Sequence, residues 1–400
     1  MAEPSLLLAP GRDRSLGRRH PWVFAGAVAR VEGQPVSGDT VAVRSSDGRF
    51  LAWAAYSPLS QIVARAWSWD HDEKVDEAFF AARVERAAAA RSDLADRTDA
   101  VRLVFAESDG LPGVIADRYD SFVVLQLSSA GADRWRDALT AAFAGLPGVV
   151  GVYERSDLDV RHREGLAPRT GLLAGEHPPD SVTIVERPPA EGAGWSFVAD
   201  LIGGHKTGFY LDQRENRRIV SELAEDRRVL DLFAYTGGFS VAAAAGGAAE
   251  LTSVDSSGPA LALAAKNLER NGFTAARLVE ADVFSHLRLM RDRAERFDLI
   301  VADPPKLAHN TSQLKRATRA YKDLNLLSLK LLAPGGVLVT CSCSGLMSED
   351  LFQKVLFGAA IDAGREAQVI GRLTQATDHP VLLTFPEAGY LKGLVIRVGL

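Results

Sequence analysis

Residues 228–245 read RVLDLFAYTGGFSVAAAA: an apolar run carrying Asp231, a break at Ala234 and Tyr235, the pair Gly237 and Gly238, then an alanine-rich stretch. A strand that breaks at glycines and runs straight into a helix opens a βα unit. The glycines let the backbone approach a ligand, and the helix N-terminus adds free N–H groups. Downstream, LTSVD (251–255), ARLVEAD (276–282), FDLIVADPP (297–305) and GGVLVTCS (335–342) are further apolar runs, separated by helix-like segments at 257–272 and 314–333. Runs this apolar predict strands covered on both faces, hence an α/β doubly wound parallel sheet with its ligand at the C-terminal strand ends.

Those ends carry a series of acids. Asp255 lies where a carboxylate reads a ribose diol in dinucleotide folds, and Asp282, followed by Val283, is placed to accept from an adenine amino group. Taken singly, each acid is equally a helix cap or turn residue. The series, with a glycine loop that is not GxGxxG, predicts a nucleoside-type cofactor without a pyrophosphate. Just upstream, GGHKTGF (203–209) reads as a turn, and DQRENRRIVSEL (212–223) as a helix with Asp212 as its N-cap.

Asp303-Pro304-Pro305-Lys306 follows the fourth run, and two prolines hold the acid and nearby carbonyls outward. Exocyclic-amine methylation usually has an aromatic residue after such prolines; here Lys306 stands there. The chain's only cysteines, Cys341 and Cys343, close the fifth run. Two cysteines so close predict neither a disulfide framework nor a zinc site, and no metal is expected. Carbon 5 of a pyrimidine is a poor nucleophile, and its methylation needs a temporary bond at carbon 6, for which a thiolate is suited. Cys343, past the strand end, is the candidate; Cys341 reads as a small buried hydrophobe.

The N-terminal part differs. Residues 38–68 are short β-like runs between turn formers, preceded by RSLGRRHPWVF (14–24), which sets Arg14, Arg18, Arg19 and His20 beside Trp22 and Phe24. That mix suits phosphate and base contacts, or equally a solvated basic loop with an aromatic anchor. A helix is expected within 72–96, then strands around a helix at 134–146, then a Pro/Gly-rich acidic run from about 171 to 194. The expected division is 1–72, 73–190 and 191–400. With 400 residues, 47% apolar, and a net charge of -5, the chain can bury several cores and does not attract polyanions by bulk charge. No stretch is long and uncharged enough to span a bilayer, and a cytoplasmic protein is expected.

LDLFAYTGGFS, VDSS and VADPPK resemble the cofactor loop, ribose-binding acid and fourth motif of class I S-adenosylmethionine-dependent methyltransferases. GHKTGFYLDQRENR resembles an element of one subgroup that lies against the cofactor, which implies roles for Phe209, Tyr210, Gln213 and Arg214. TCSCS resembles the sixth motif of cytosine-5 RNA methyltransferases, whose nucleophile falls on Cys343, although DPPK lacks the second cysteine of the commoner enzymes. RRHPWVFAGAV with the β module resembles a PUA domain, and SCSGLMSEDLFQK and TDHPV extend the likeness. Nearly the whole chain thus resembles the ribosomal RNA large subunit methyltransferase I family. The resemblance implies 5-methylcytosine formation in 23S rRNA, with Cys343 adding to carbon 6, Asp303 at N3, and Arg18, Arg19, His20, Trp22 and Lys306 at the RNA. Lys306 and His379 are candidates for the base that removes the carbon 5 proton. A uracil-5 enzyme and an N-methyltransferase acting on RNA are the alternatives, and a homodimer stays open.

Overall fold

Alternating Val, Ala, Trp and Ile residues make the N-terminal runs strands. In the computed structural model, which describes residues 3–187, 194–204, 206–308 and 310–399, β1 (Ser5–Leu8), β2 (Trp22–Phe24), β3 (Val28–Glu32), β4 (Thr40–Arg44), β5 (Phe50–Tyr56) and β6 (Ile62–Ser68) form one sheet in the order β2-β6-β5-β4-β1-β3. The short helix α1 (Arg14–Gly17) sits between the first two strands. A second sheet, ordered β11-β10-β9-β8-β7, comprises β7 (Ala100–Phe105), β8 (Val114–Tyr119), β9 (Phe122–Leu127), β10 (Gly151–Ser156) and β11 (Arg169–Gly175). The helices α2 (Glu77–Ala89), α3 (Ala130–Arg134), α4 (Arg136–Ala144) and α5 (Val160–Arg163) accompany it. Asp76 caps α2 by accepting from the Phe79 N–H, so this helix is shorter than the 72–96 stretch that holds it. Trp67 of β6 packs edge-on against Phe80 of α2, which in turn meets Trp135. One apolar cluster therefore spans both sheets.

The Pro/Gly-rich run at 171–194 is rich in residues that disfavour strands. It nonetheless contains the end of β11 and all of β12 (Val182–Glu186), which forms a two-stranded sheet with β13 (Trp195–Ala199). Backbone pairing with β10 overrides the local composition of β11.

The chain divides into two compact units. The first holds Met1–Ile184, Ala199–Leu211 and Asp378–Ala388; the second holds Val185–Val198, Asp212–Thr377 and Gly389–Leu400. The second unit is the α/β sheet read from the sequence. Its strands β14 (Arg228–Leu232), β15 (Glu250–Asp255), β16 (Arg277–Glu280), β17 (Phe297–Ala302), β18 (Leu332–Ser342), β19 (Ala367–Thr374) and β20 (Lys392–Val398) are ordered β16-β15-β14-β17-β18-β20-β19. The first five are mutually parallel, and β20 runs antiparallel to both its neighbours. The helices are α6 (Arg214–Glu222), α7 (Gly238–Ala245), α8 (Gly258–Arg270), α9 (Val283–Asp292), α10 (Leu314–Leu331) and α11 (Glu349–Ala363). Leu230, Ile300 and Leu338, one from each central strand, are fully buried in a single core, each contributing about 1.5–3 kcal/mol. The strand order reverses between β14 and β17, which puts the crevice at their C-terminal ends.

Asp212 does not cap α6. The helix begins after Gln213 without a side-chain cap, and the Asp212 carboxylate instead accepts from the Tyr390 hydroxyl at 2.5 Å. A short 3-10 turn over Leu211–Gln213 moves the helix start past the acid.

Candidate active site

Three left-handed residues follow β14: Phe233 (φ 61°), Tyr235 (φ 48°) and Gly237 (φ 79°). Two of them are not glycine, so the surroundings must hold this loop. Asp255 at the end of β15 does so: its Oδ2 accepts from the Tyr235 N–H at 2.8 Å and its Oδ1 from the Ser257 N–H at 2.9 Å. Ala234 donates its N–H to the Val254 carbonyl. At Gly237 a Cβ would stand 2.9 Å from that of Ala264, so only glycine fits. Gly238 begins α7, which has no side-chain N-cap.

Asp231 is 1% exposed. Its Oδ2 accepts from the Ser240 hydroxyl at 2.6 Å, which also meets the Ser253 hydroxyl, while Oδ1 is buried without a partner among the described residues. Burial pushes its pKa up to about 7, Ser240 opposes, and the fields of Asp303 and Asp255 add to the rise. A buried carboxylate with an orphan oxygen is suited to a cationic or N–H donor from a ligand. Asp282 caps α9, accepting from the Ser285 N–H at 2.9 Å, a bond that holds its pKa below the usual range. Val283 is buried beside it. Asp282 is thus a helix cap, and the bond to Ser285 uses one of its two carboxylate oxygens. These residues fit a nucleoside-type group.

At the end of β17, Asp303 Oδ2 accepts from the Gln213 amide at 2.9 Å. Asn216 fixes that amide's orientation by donating to Gln213 Oε1 at 2.5 Å and to the Thr374 carbonyl at 3.0 Å. Arg214 is buried at the start of α6. Lys306 is exposed.

The cysteines differ sharply. Cys341 is fully buried, and burial, followed by the field of Asp303, raises its thiol pKa well above the ordinary value. Cys343 lies one residue past β18 and is half-buried. Its neighbours are pinned: Ser342 Oγ donates to the Tyr321 hydroxyl oxygen at 2.9 Å, and Ser344 Oγ donates to the Ala308 carbonyl at 3.1 Å. Burial, with the fields of Cys343 and Asp303 behind it, raises the Tyr321 pKa. Tyr321 and Lys392 were not singled out from the sequence. The lysine's signal was present, as one of two charged residues, with Arg397, in the otherwise apolar run LKGLVIRV.

The remaining predicted residues lie in the first unit. Phe209 is buried, with its N–H donating to the Tyr119 hydroxyl at 3.1 Å, and the Lys206 ammonium sits 4.2 Å from the Tyr210 ring centre. Arg18 and Arg19 are exposed, and the Arg19 guanidinium lies 5.4 Å from the Trp69 ring centre. His20 meets Glu387 at 3.3 Å. Trp22 donates its indole N–H to Glu107 at 2.7 Å and packs on Phe385, so it anchors the loop, and the exposed aromatic beside it is Phe24, 52% accessible. His379 is buried with Nδ1 2.9 Å from Asp378 and its ring against Phe105.

A family model described as S-adenosylmethionine-dependent methyltransferase matches residues 152–397, and one described as a PUA-like domain matches residues 6–69. A Ribosomal RNA large subunit methyltransferase I of Klebsiella pneumoniae (strain 342) is 51% identical over 399 residues, covering 99% of this chain and 98% of that protein. The protein of the same name from Escherichia coli O139:H28 is 50% identical over 397 residues, covering 98% and 99%. Among solved structures, that of SMU.776 complexed with SAH superposes with a TM-score of 0.85 at 26% identity, covering 98% of this chain and all of that one. The glycine loop, the strand-end acids and these likenesses agree, and the chain belongs to the ribosomal RNA large subunit methyltransferase I family of S-adenosylmethionine-dependent methyltransferases.

Proposed function

We propose that the chain methylates carbon 5 of a cytosine in 23S rRNA, with Cys343 as the nucleophile. The observation that carries this reading is the contrast on β18, where Cys341 is buried with a raised thiol pKa while Cys343 is accessible beyond the strand end. The relatives' name supplies large-subunit rRNA as the substrate.

Asp231, Ala234, Tyr235, Gly237, Gly238, Asp255, Asp282 and Val283 would hold S-adenosylmethionine, with Phe209, Tyr210, Gln213, Arg214 and Asp303 completing its surroundings. The bound cofactor supplies an electrophilic methyl group on a sulfonium. The target cytosine is flipped from its stack, as enzymes acting on a base require. Cys343 Sγ bonds to carbon 6, and the displaced electrons make carbon 5 nucleophilic. Asp303, steadied by Gln213, holds N3 and its proton. Carbon 5 takes the methyl group, a base then accepts the carbon 5 proton, and Cys343 leaves as the thiolate. Arg18, Arg19, His20, Trp22 and Lys306 would contact the RNA, and segments 1–72, 73–190 and 191–400 would serve as RNA-binding, intermediate and methyltransfer parts. Such a substrate implies a cytoplasmic site of action.

The test is incubation of unmodified 23S rRNA with labelled S-adenosylmethionine, followed by mass analysis of nucleosides. We expect 5-methylcytosine, and its loss in Cys343→Ala. A 5-methyluridine or N-methylated product, or full activity of the variant, would overturn the reading.

A further inference from the structure

We propose that Lys392 is the counter-ion that holds Cys343 ready as a thiolate, a positioning residue for the nucleophile; this rests on the reading of Cys343 given above. Lys392 opens β20, where its backbone stands opposite Ser342 in the antiparallel register. Its Nζ donates to the Ser344 carbonyl at 2.7 Å. The side chain therefore runs alongside the segment from residue 342 to residue 344 and passes Cys343 between them.

Lys392 is only 7% exposed, and a buried ammonium is costly unless an anion accompanies it. Among the described residues, no carboxylate lies within ion-pair distance of Nζ. The counter-charge assigned to it here is the Cys343 sulfur, whose field on Lys392 exceeds that of Glu349. Burial lowers the Lys392 pKa, the field of Cys343 followed by that of Glu349 at the start of α11 raises it, and Lys306 opposes. Cys343 acts electrostatically on both Lys392 from β20 and Tyr321 from α10. Among those groups Lys392 brings the positive charge that favours ionisation. The thiol proton passes to solvent, and the lysine keeps its own protons throughout.

The test is the pH dependence of Cys343 alkylation by iodoacetamide, read by peptide mass spectrometry on the full chain without RNA or cofactor. Cys341 is fully buried, and Cys343→Ser supplies the background. Lys392→Met should slow alkylation at neutral pH about tenfold and raise the midpoint by about one unit, the size expected when an adjacent opposite charge is removed. Lys392→Arg should restore the wild-type midpoint, which a purely structural role would not require. Lys392→Gln serves as a second neutral variant, and S-adenosylmethionine calorimetry checks that each is folded. A folded neutral variant with an unshifted midpoint overturns the proposal while leaving the nucleophile reading intact. Normal 5-methylcytosine formation by Cys343→Ser overturns both. A shifted midpoint with activity lost in Cys343→Ser supports both.

Discussion

Replacing Asp231 with asparagine should stabilise the second unit at alkaline pH, although it removes a carboxylate from the proposed cofactor loop. The acid is 1% exposed with one orphan oxygen, and burial raises its pKa from 3.8 to about 7. A raised folded-state pKa means that the native chain binds this proton more tightly than the unfolded chain. The associated stability is full below about pH 4 and is lost as the pH rises toward 7. At about 1.36 kcal/mol per unit, the loss between pH 5 and pH 8 is about 3 kcal/mol, nearly all of it below pH 7. Asparagine keeps an acceptor for the Ser240 hydroxyl and carries no charge, so the variant lacks this slope. Urea unfolding of both proteins at pH 5 and pH 8, without cofactor, measures the difference. The stability of the variant relative to wild type should rise by about 3 kcal/mol from pH 5 to pH 8; parallel profiles would refute the argument. Because a ligand donor would reward the ionised acid, wild-type affinity for S-adenosylmethionine should climb as pH passes 7, and that of the variant should stay weak and flat.

Gly237→Ala places a side chain at φ 79° and a Cβ 2.9 Å from that of Ala264, a backbone cost of about 1–2 kcal/mol before the clash. Calorimetry should show cofactor affinity down at least ~10-fold, and unchanged affinity would mean that the turn does not approach the ligand. At Asp282, alanine removes the α9 cap and should lower stability by about 1 kcal/mol, while asparagine keeps it. If Asp282→Asn binds S-adenosylmethionine as tightly as wild type, the residue serves as a cap and its charge does not read the adenine.

Much of the second unit was legible because its signals are local. Strand-length apolar runs, helix-length segments between them and glycines at a strand end follow from backbone sterics and burial, so β14, β15, β17 and β18 with their terminal acids could be read directly. Pairing with a distant strand was not legible: β11 forms in a Pro/Gly-rich run because β10 supplies its hydrogen bonds. Asp212 had the form of a helix cap, yet the hydroxyl of Tyr390, far along the chain, takes its carboxylate.

The site divides in the same way. By itself the sequence determined the α/β class, the glycine loop after β14 and the two cysteines as chemistry or packing, since each depends on residues within a few positions of one another. Only the tertiary structure decided that Cys341 is sealed while Cys343 stays accessible, that Gln213 steadies Asp303, and that Lys392 reaches the Ser344 carbonyl next to Cys343. Burial and electric field depend on what folds against a residue from elsewhere in the chain, and Gln213 and Asp303, which meet here, are 90 positions apart. A lysine within an apolar strand marks an exception to the pattern; the fold alone shows which carbonyl it reaches, that of Ser344.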